Sequence, residues 1–229
     1  MKYFTIIQTR TSSSRLPAKC FLPIGGMPLV ELCFKRVSSF SDTYVAISDD
    51  KSDDLLASYL QSSKISYFRG HLTNVLKRFT SLCSQLNVHP NDTIIRLTGD
   101  NPLVDDIFLK YMKQIWEKNN FNYLSAQPDN LKKYGWPNGL SAEFFRAQSL
   151  FDINCNEVDE YSKEHVTPSI KKNSKKSACV AELVKPDFFY KENYSIDTLV
   201  DYLRISNLFQ KVKWNENYSK ILEFEQNKI

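Results

Sequence analysis

Residues 3–19 of this chain, YFTIIQTRTSSSRLPAK, place an apolar run directly before a polar loop. The run Tyr3–Ile7 has the length and the β-branched and aromatic content of a buried strand. Three cations lie in the loop that follows it: Arg10, Arg15 and Lys19. Pro28 then suits the first turn of a helix, and apolar residues at helical spacing come after it. A buried strand, a polar loop and a helix form the repeating unit of a parallel α/β sheet.

The same alternation of strand and helix continues to about residue 125. Four further strand candidates follow the first: Tyr44–Ile47, Ile65–Phe68, Thr93–Leu97 and Asn122–Leu124. Helical patterns lie between them, and Asn74 and Asp105 are suited to cap two of these helices. This order predicts an α/β fold of three layers, with a mainly parallel sheet between two layers of helices.

The pattern is less regular from about Gly139 onwards. We predict, in chain order, a strand, a helix, two strands and a helix: Leu140–Phe145, Asp159–Ile170, Ala178–Val184, Tyr194–Ile196 and Thr198–Phe209. The chain contains no internal repeat and no Gly-, Ser- or Pro-rich linker. Residues 1–229 are therefore expected to form one domain, with a small excursion that covers the site or forms a dimer contact.

The composition excludes several classes of protein. Of the 229 residues, 42% are hydrophobic and 24% are charged, as in ordinary globular domains. No apolar run approaches the roughly 18 residues of a membrane helix, and residues 1–10 do not resemble a secretory signal, so we expect no membrane insertion. The five widely spaced cysteines favour a reducing cytoplasm over a disulfide framework. The net charge of +4 is too small to predict nucleic-acid binding.

The loop over residues 8–19 has the chemistry of a phosphate site. Guanidinium groups match phosphate oxygens in two-pronged contacts, and a lysine ammonium and backbone N–H groups add further donors. Neither Gly-x-x-x-x-Gly-Lys-Ser/Thr nor Gly-x-Gly-x-x-Gly occurs in the chain. Their absence argues against a P-loop nucleotidase and a dinucleotide-dependent dehydrogenase. From the loop alone, triphosphate binding and an ordinary polar surface loop both remain open.

Two aspartates and a histidine are the other candidates for chemistry. Asp100 follows the strand Thr93–Leu97 at the edge where the cationic loop lies, and it either binds Mg²⁺ there or caps the turn before Pro102. Asp197 is either a second metal ligand or the N-cap of the next helix. His165 either contacts a ligand or serves as a structural hydrogen-bonding group.

Taken together, these segments resemble a known family. The matching segments occur in family order over about residues 3–205: Ile6–Lys19, Leu22–Leu29, Ser48–Asp50, Phe68–Gly70, Arg96–Leu103, Pro137–Leu140, Glu164–Pro168 and Asp197–Thr198. The combination resembles the bacterial cytidylyltransferases related to acylneuraminate cytidylyltransferase. Within that family it is most similar to the spore-coat polysaccharide biosynthesis cytidylyltransferase-like branch.

The resemblance implies a glycosyltransferase-A-like nucleotidyltransferase, usually a homodimer, that uses CTP and Mg²⁺ to join CMP to a sugar. Residues 1–125 would form the nucleotide-binding half, and residues 126–229 the sugar-binding half with a possible dimer contact. The implied catalytic residues are Arg10, Arg15, Lys19, Asp100 and Asp197, of which the two aspartates would bind the metal. The implied nucleotide contacts are Gln8, Arg10, Ser14, Arg15, Lys19, Ser48, Asp49, Asp50, Arg69, Gly70, Thr98 and Asp100. The implied substrate contacts are Tyr134, Pro137, Glu143 and His165.

The chain also departs from the family pattern. Thr9 and Ala18 stand where the family loop usually has Ala and Gly, and Tyr134 and Ser141 stand where an Arg and an Asp are common. The family analogy favours an acidic sugar of eight or nine carbons and a product used in a surface glycan. Two alternatives remain open: a transferase of this fold that uses another nucleotide, and a non-catalytic nucleotide-binding partner in glycan assembly. The presence of three loop cations together with two aspartates argues against the second.

Overall fold

The computed structural model describes residues 1–128, 136–184 and 193–226. In chain order the strands are β1 (Tyr3–Gln8), β2 (Pro23–Ile24), β3 (Met27–Pro28), β4 (Asp42–Ser48), β5 (Tyr67–Gly70), β6 (Thr93–Thr98), β7 (Tyr123–Ser125), β8 (Glu143–Arg146) and β9 (Ser177–Cys179). The helices are α1 (Leu29–Val37), α2 (Asp54–Ser62), α3 (Val75–Gln85), α4 (Asp106–Asn119), α5 (Ala147–Phe151), α6 (Glu160–His165), α7 (Thr167–Asn173), α8 (Val180–Val184), α9 (Leu199–Phe209) and α10 (Tyr218–Gln226). None of the helices in these ranges has the length and apolar character needed to cross a bilayer.

Seven of the strands form one sheet in the order β5-β4-β1-β6-β8-β7-β9. The pairs of β1 with β4, β1 with β6, β4 with β5, and β7 with β9 are parallel, whereas β8 pairs antiparallel with β6 and β7. The chain adds β4 and β5 on one side of β1 and then crosses to the other side to form β6. The crevice beyond the carboxyl ends of β1 and β6 is therefore a topological switch point, where open α/β sheets bind ligands.

Helices cover both faces of this sheet because the central strands are apolar on both sides. Along β1, Phe4 and Ile6 pack in the cluster that contains α3, α5 and α7, while Ile7 packs in the cluster that contains α1, α4, α9 and α10. Successive side chains of a strand point to opposite faces, so one strand supplies both cores. The predicted mainly parallel sheet with helices on both faces is confirmed.

The predicted helix starts in the first half are also confirmed. The Asn74 side chain accepts a hydrogen bond from Lys77 N at 2.9 Å at the start of α3. The Asp105 side chain accepts one from Phe108 N at 2.8 Å at the start of α4. In each case a short polar side chain satisfies an N–H group that lacks a partner inside the helix.

Three predictions for the second half of the chain were wrong. The segment Ala178–Val184 is not a strand, because β9 ends at Cys179 and α8 begins at the next residue. Tyr194–Ile196 forms no strand, and only an isolated bridge joins Asn138 to Asn193. The helix predicted over Asp159–Ile170 is two helices, α6 and α7.

The break between α6 and α7 lies at Val166, whose φ is 67°. Pro168 follows two residues later, within the first turn of α7. A proline cannot donate the backbone hydrogen bond that a continuous helix would require there, and its ring crowds the preceding turn. The strand predicted at Leu140–Phe145 is present, but it begins later and spans Glu143–Arg146.

Gly139 allows close packing of the segment Tyr194–Asp197. Its φ is +89°, and a Cβ atom there would lie 2.2 Å from the carbonyl carbon of Tyr194 and 2.3 Å from Ser195 N. We expect Gly139→Ala to lower the free energy of unfolding by about 3 kcal/mol, because backbone strain and a collision add together. Urea unfolding followed by circular dichroism measures this loss.

The matched control is Gly26→Ala, since Gly26 also has a positive φ of +85° but no atom within 4 Å of the added Cβ. Its expected loss is about 1 kcal/mol, from backbone strain alone. Equal losses for the two variants would contradict the proposed collision.

Candidate active site

A cavity of about 230 Å³ lies at the crevice between β1 and β6. We call it the phosphate cavity; its lining residues are Gln8, Thr9, Arg10, Ser13, Ser14, Arg15, Lys19, Val75, Arg78, Thr98, Gly99, Asp100, Glu164 and Asp197. The loop cations and both aspartates that the sequence singled out are therefore brought together. So are Gln8, Ser14 and Thr98 from the implied nucleotide contacts.

The ends of β1 and β6 approach closely because Gly99 has no side chain. Gly99 N donates a hydrogen bond to Gln8 O at 2.9 Å. A Cβ atom on Gly99 would lie 2.9 Å from Thr9 Cβ. The glycine thus keeps the loop after β1 beside Asp100, the next residue along the chain.

Lys19 joins the two aspartates. Its ammonium donates to Asp100 Oδ2 at 2.6 Å and to Asp197 Oδ1 at 3.1 Å. It also donates to the carbonyl of Ile196 at 2.9 Å. Arg15 Nη2 reaches the same Asp197 oxygen at 2.8 Å. One cation therefore already lies between two carboxylates that are far apart in sequence.

The helix that follows Asp197 is capped by a different residue. The Thr198 side chain accepts from Asp201 N, while the Asp201 side chain accepts from Thr198 N at 2.8 Å, which completes a capping box. The alternative that Asp197 is the N-cap was therefore wrong. Its carboxylate instead pairs with Lys19 and Arg15.

The Asp100 and Asp197 carboxylates fit a magnesium ion. Hard divalent cations prefer oxygen ligands, and Mg²⁺ commonly takes one or two carboxylates and completes its shell with water and substrate phosphates. The Lys19 ammonium shows that a cation is accommodated between these two oxygens. Within the described ranges no group of three or more His, Cys, Asp or Glu side chains is suited to a metal.

The fully buried Asp53 side chain holds the loop after β1 in place. Its Oδ1 accepts from Thr11 N at 2.8 Å and from Thr11 Oγ1 at 2.6 Å. Its Oδ2 accepts from Ser48 N at 2.8 Å and from Ser48 Oγ at 2.6 Å. One buried carboxylate thus ties the phosphate loop to the end of β4. Ala18 closes the same loop with a φ of 56°, a left-handed conformation that favours glycine.

The implied nucleotide contacts after β4 and β5 form a second turn at the same sheet edge. Asp49 N donates to Gly70 O at 2.8 Å. Arg69 donates to the carbonyls of Ser48 and Asp50 at 3.1 and 2.9 Å. The Ser48 side chain is buried on Asp53. None of these five residues lines the phosphate cavity, although Ser48 and Asp50 contact Asp53, which holds its loop.

A second cavity, of about 600 Å³, lies under α6 and α7. We call it the outer cavity; its lining residues are Arg96, Tyr123, Glu143, Tyr161, His165, Thr167, Pro168, Lys171, Lys172 and Ser177. Two of the implied substrate contacts, Glu143 and His165, are here. Pro137 is buried elsewhere and lines neither this cavity nor the phosphate cavity. Tyr134 lies outside the described residues.

Glu143 is the centre of a hydrogen-bonded network in the outer cavity. It pairs with Arg96, and its Oε1 accepts from Tyr123 Oη at 2.5 Å and from Thr167 Oγ1 at 2.6 Å. Burial, reinforced by the Glu143 charge, raises the pKa of Tyr123, so its hydroxyl remains a donor. Arg96 Nε also donates to Gln8 Oε1 at 2.8 Å, which connects the outer cavity to the phosphate cavity.

Sequence reasoning missed Asp53, Arg78, Arg96 and Glu164. Each is a charged residue within or next to a predicted apolar helix or strand. A charge in such an element was the one feature of the sequence that could have indicated a role in the site. Glu164 pairs with Arg10 at 3.3 Å across the phosphate cavity. Their contacts join residues far apart in the chain, which periodicity does not reveal.

Comparison with known proteins identifies the family. The family model described as cytidylyltransferase matches residues 4–229. The chain belongs to the cytidylyltransferase family. It is a CTP-dependent nucleotidyltransferase, which agrees with a cationic loop beside two aspartates.

Individual cytidylyltransferase relatives agree with this membership. The chain is 34% identical to the spore coat polysaccharide biosynthesis protein SpsF of Bacillus subtilis over 216 residues, covering 90% of this chain and 85% of that protein. A cytidylyltransferase structure from Leptospira borgpetersenii has a TM-score of 0.85 at 23% identity, covering 100% of this chain and 95% of that one. CMP:2-keto-3-deoxy-manno-octonic acid synthetase complexed with CTP has a TM-score of 0.64 at 15% identity, covering 92% and 99%.

Asp53 provides a test of how this cytidylyltransferase holds its loop. Asp53→Asn replaces one of two acceptor oxygens with an NH₂ group that faces N–H and hydroxyl donors. We expect the free energy of unfolding to fall by about 3 kcal/mol, because a buried network loses its acceptor. Denaturant titration measures the loss.

Asp50→Asn is the matched control, since Asp50 is exposed and uses one oxygen to accept from Ser52 N. An asparagine oxygen can keep that bond, so a much smaller loss is expected. A similar loss in both variants would show that Asp53 does not hold the loop.

Proposed function

We propose that this cytidylyltransferase transfers CMP from CTP to an acidic sugar and releases pyrophosphate, with Mg²⁺ as cofactor. The observation that carries the proposal is the arrangement of the Lys19 ammonium between Asp100 and Asp197, beside a second cavity rich in cations. A sugar hydroxyl would attack the α-phosphorus of CTP while the bond to the β-phosphate breaks. The negative charge that develops on the leaving pyrophosphate is what the loop cations would stabilise.

Substrate binding requires an exchange of ionic partners. In this structure Arg10, Arg15 and Lys19 are paired with Glu164, Asp197 and Asp100, respectively. A triphosphate offers these cations more negative charge, so we expect them to turn from the carboxylates to the phosphates. Asp100 and Asp197 then become free to hold Mg²⁺, whose chemistry there is to neutralise phosphate charge and orient the α-phosphate. Nucleotide and metal binding should therefore reinforce each other.

The outer cavity supports the choice of an acidic sugar. Arg96, Lys171 and Lys172 supply three positive charges against the single carboxylate of Glu143. This excess of positive charge favours a ligand with a carboxylate. The Gln8–Arg96 hydrogen bond connects this cavity to the phosphate cavity, where we expect the triphosphate to bind. A related fold belongs to CMP:2-keto-3-deoxy-manno-octonic acid synthetase, which acts on an acidic sugar by its name.

The pathway, location and assembly belong to the same proposal. The likeness to the spore coat polysaccharide biosynthesis protein of Bacillus subtilis supports a role in surface glycan biosynthesis. A cytoplasmic location would give access to CTP.

A homodimer is supported by the exposed apolar residues on α9, where Leu199, Val200 and Leu203 are 57%, 75% and 58% exposed. Such a patch on a helix is typical of a protein interface.

The proposed function is tested by a pyrophosphate-release screen that crosses the four ribonucleoside triphosphates with acidic and neutral sugars in the presence of Mg²⁺. We expect the highest rate with CTP and an acidic sugar. Comparable rates with UTP would contradict the cytosine preference, and release only with neutral sugars would contradict the acidic acceptor. Asp100→Asn should lower the best rate roughly 10²-fold, because an amide lacks the charge that the metal requires.

Asp106→Asn is the matched control for Asp100→Asn. Asp106 starts α4 and bonds Lys110 and Ser39 on the surface, away from the phosphate cavity. It should keep nearly the full rate. A normal rate in folded Asp100→Asn protein would remove this residue from the proposed metal site.

Lys172 provides a separate test of the acidic sugar. Lys172 lines the outer cavity, whereas Lys175, three residues later, is exposed beside a different surface depression. We expect Lys172→Gln to raise the KM for the sugar about fivefold, through loss of one ion pair, with the KM for CTP unchanged. Lys175→Gln should change neither. Steady-state kinetics with each substrate varied in turn measure this, and an unchanged sugar KM in Lys172→Gln would place the carboxylate elsewhere.

A further inference from the structure

Arg78, on α3, differs from the other cations of the phosphate cavity. Arg10, Arg15 and Lys19 each form an ion pair with a carboxylate. Arg78 is 1% exposed, and no carboxylate in the described part of the chain forms an ion pair with it, although the charges of Asp53 and Asp49 act on it from farther away. Arg78 is thus a buried positive charge at the wall of the cavity that has no ion-pair partner among the described residues.

Backbone carbonyls hold the Arg78 guanidinium in place. Nη2 donates to His71 O and Leu72 O at 2.7 and 2.9 Å, and Nε donates to His71 O at 3.1 Å. Nη1 donates to Ala46 O at 3.3 Å. These four hydrogen bonds use four of the five N–H groups of a guanidinium. One N–H on Nη1 remains, on a side chain that lines the phosphate cavity.

Burial of this charge is unfavourable, because the guanidinium loses its contact with water. Desolvation lowers the pKa of Arg78 to about 10, so the side chain remains charged at neutral pH. Gly70, at the end of β5, makes room for it, because a Cβ atom there would lie 2.9 Å from Arg78 Cγ and 3.4 Å from its Cα. A buried cation without a carboxylate partner is unfavourable for folding, which favours a role in binding.

We propose that Arg78 is a phosphate-binding residue: the preset cation that receives the triphosphate before the other three leave their carboxylates. This inference rests on the proposed function only in placing the triphosphate of CTP in this cavity. It has a distinct consequence for binding without metal. When no Mg²⁺ is present to occupy Asp100 and Asp197, Lys19 and Arg15 stay attracted to those carboxylates, and anion binding depends mainly on Arg78.

The test measures binding of inorganic tripolyphosphate by isothermal titration calorimetry in the presence of a chelator. We expect Arg78→Gln to weaken binding about tenfold, which is the loss of one charge-assisted contact. Arg78→Lys, which keeps the charge, should recover part of the affinity. Gly70→Ala should also weaken binding, because it displaces the Arg78 stem without removing the charge.

Arg36→Gln is the matched control. Arg36, on α1, is likewise a buried arginine. The carbonyls of Leu103, Trp214 and Glu216 hold its side chain, and it does not line the phosphate cavity. Its replacement should cost stability but leave the affinity of the folded protein for tripolyphosphate unchanged. Unchanged affinity in folded Arg78→Gln protein would overturn the proposal.

A measurement on the unaltered protein covers the case in which Arg78→Gln does not fold. In ¹⁵N-labelled protein, the Nε–H signal of Arg78 should shift on addition of tripolyphosphate, while that of Arg36 should stay in place. Arg78→Lys, which lacks the signal, assigns it. A static Arg78 signal at saturating tripolyphosphate would overturn the proposal. Because this anion carries no base or sugar, these results are independent of whether CMP transfer to an acidic sugar is observed.

Discussion

The contact of one lysine with two aspartates is the interaction on which this site depends. Three distant parts of the chain meet in this contact. Lys19 lies in the loop after β1, Asp100 lies just after β6, and Asp197 lies just before α9. Gly99 and Gly139 allow these segments to approach, since an added Cβ would collide with the Thr9 side chain at Gly99 and with the backbone of Tyr194 and Ser195 at Gly139. Any change that separates the segments separates the cationic loop from the carboxylates.

Three fully or largely buried charges near this contact have different roles. Asp53 is fully bonded by Thr11 and Ser48 and fixes the loop. Arg78 is held by carbonyls and faces the cavity. Glu143 orders Arg96, Tyr123 and Thr167 in the outer cavity. Such groups are costly to bury, and each occurs here next to a cavity where its fixed position has a use.

Sequence reasoning succeeded where apolar runs were long and regularly spaced. It found β1, β4, β5 and β6, the caps at Asn74 and Asp105, and the loop cations at one sheet edge, because the ends of parallel strands meet there. It failed at Ala178–Val184, where a short apolar run has no distinguishing period and divides into a strand and a helix. It failed at Val166 because the break depends on a single backbone conformation before Pro168. The placement of Asp53 and Arg78 depends on long-range contacts, and the proposed roles of the site residues remain predictions.

The reversed direction of β8 has a consequence for where substitutions act on the proposed acceptor site. Its neighbours contribute their last residues to the ligand-binding edge, whereas β8 contributes its first, Glu143. The outer cavity around that end is lined mostly by residues of β8, α6 and α7, together with Arg96, Tyr123 and Ser177, whereas the phosphate cavity is lined mostly by residues of β1, β6 and the loops that follow them. We therefore expect substitutions in β8, α6 and α7 to alter acceptor preference while Arg10, Arg15, Lys19 and Asp100 stay in place, whereas Asp197 joins the second half of the chain to the proposed metal site.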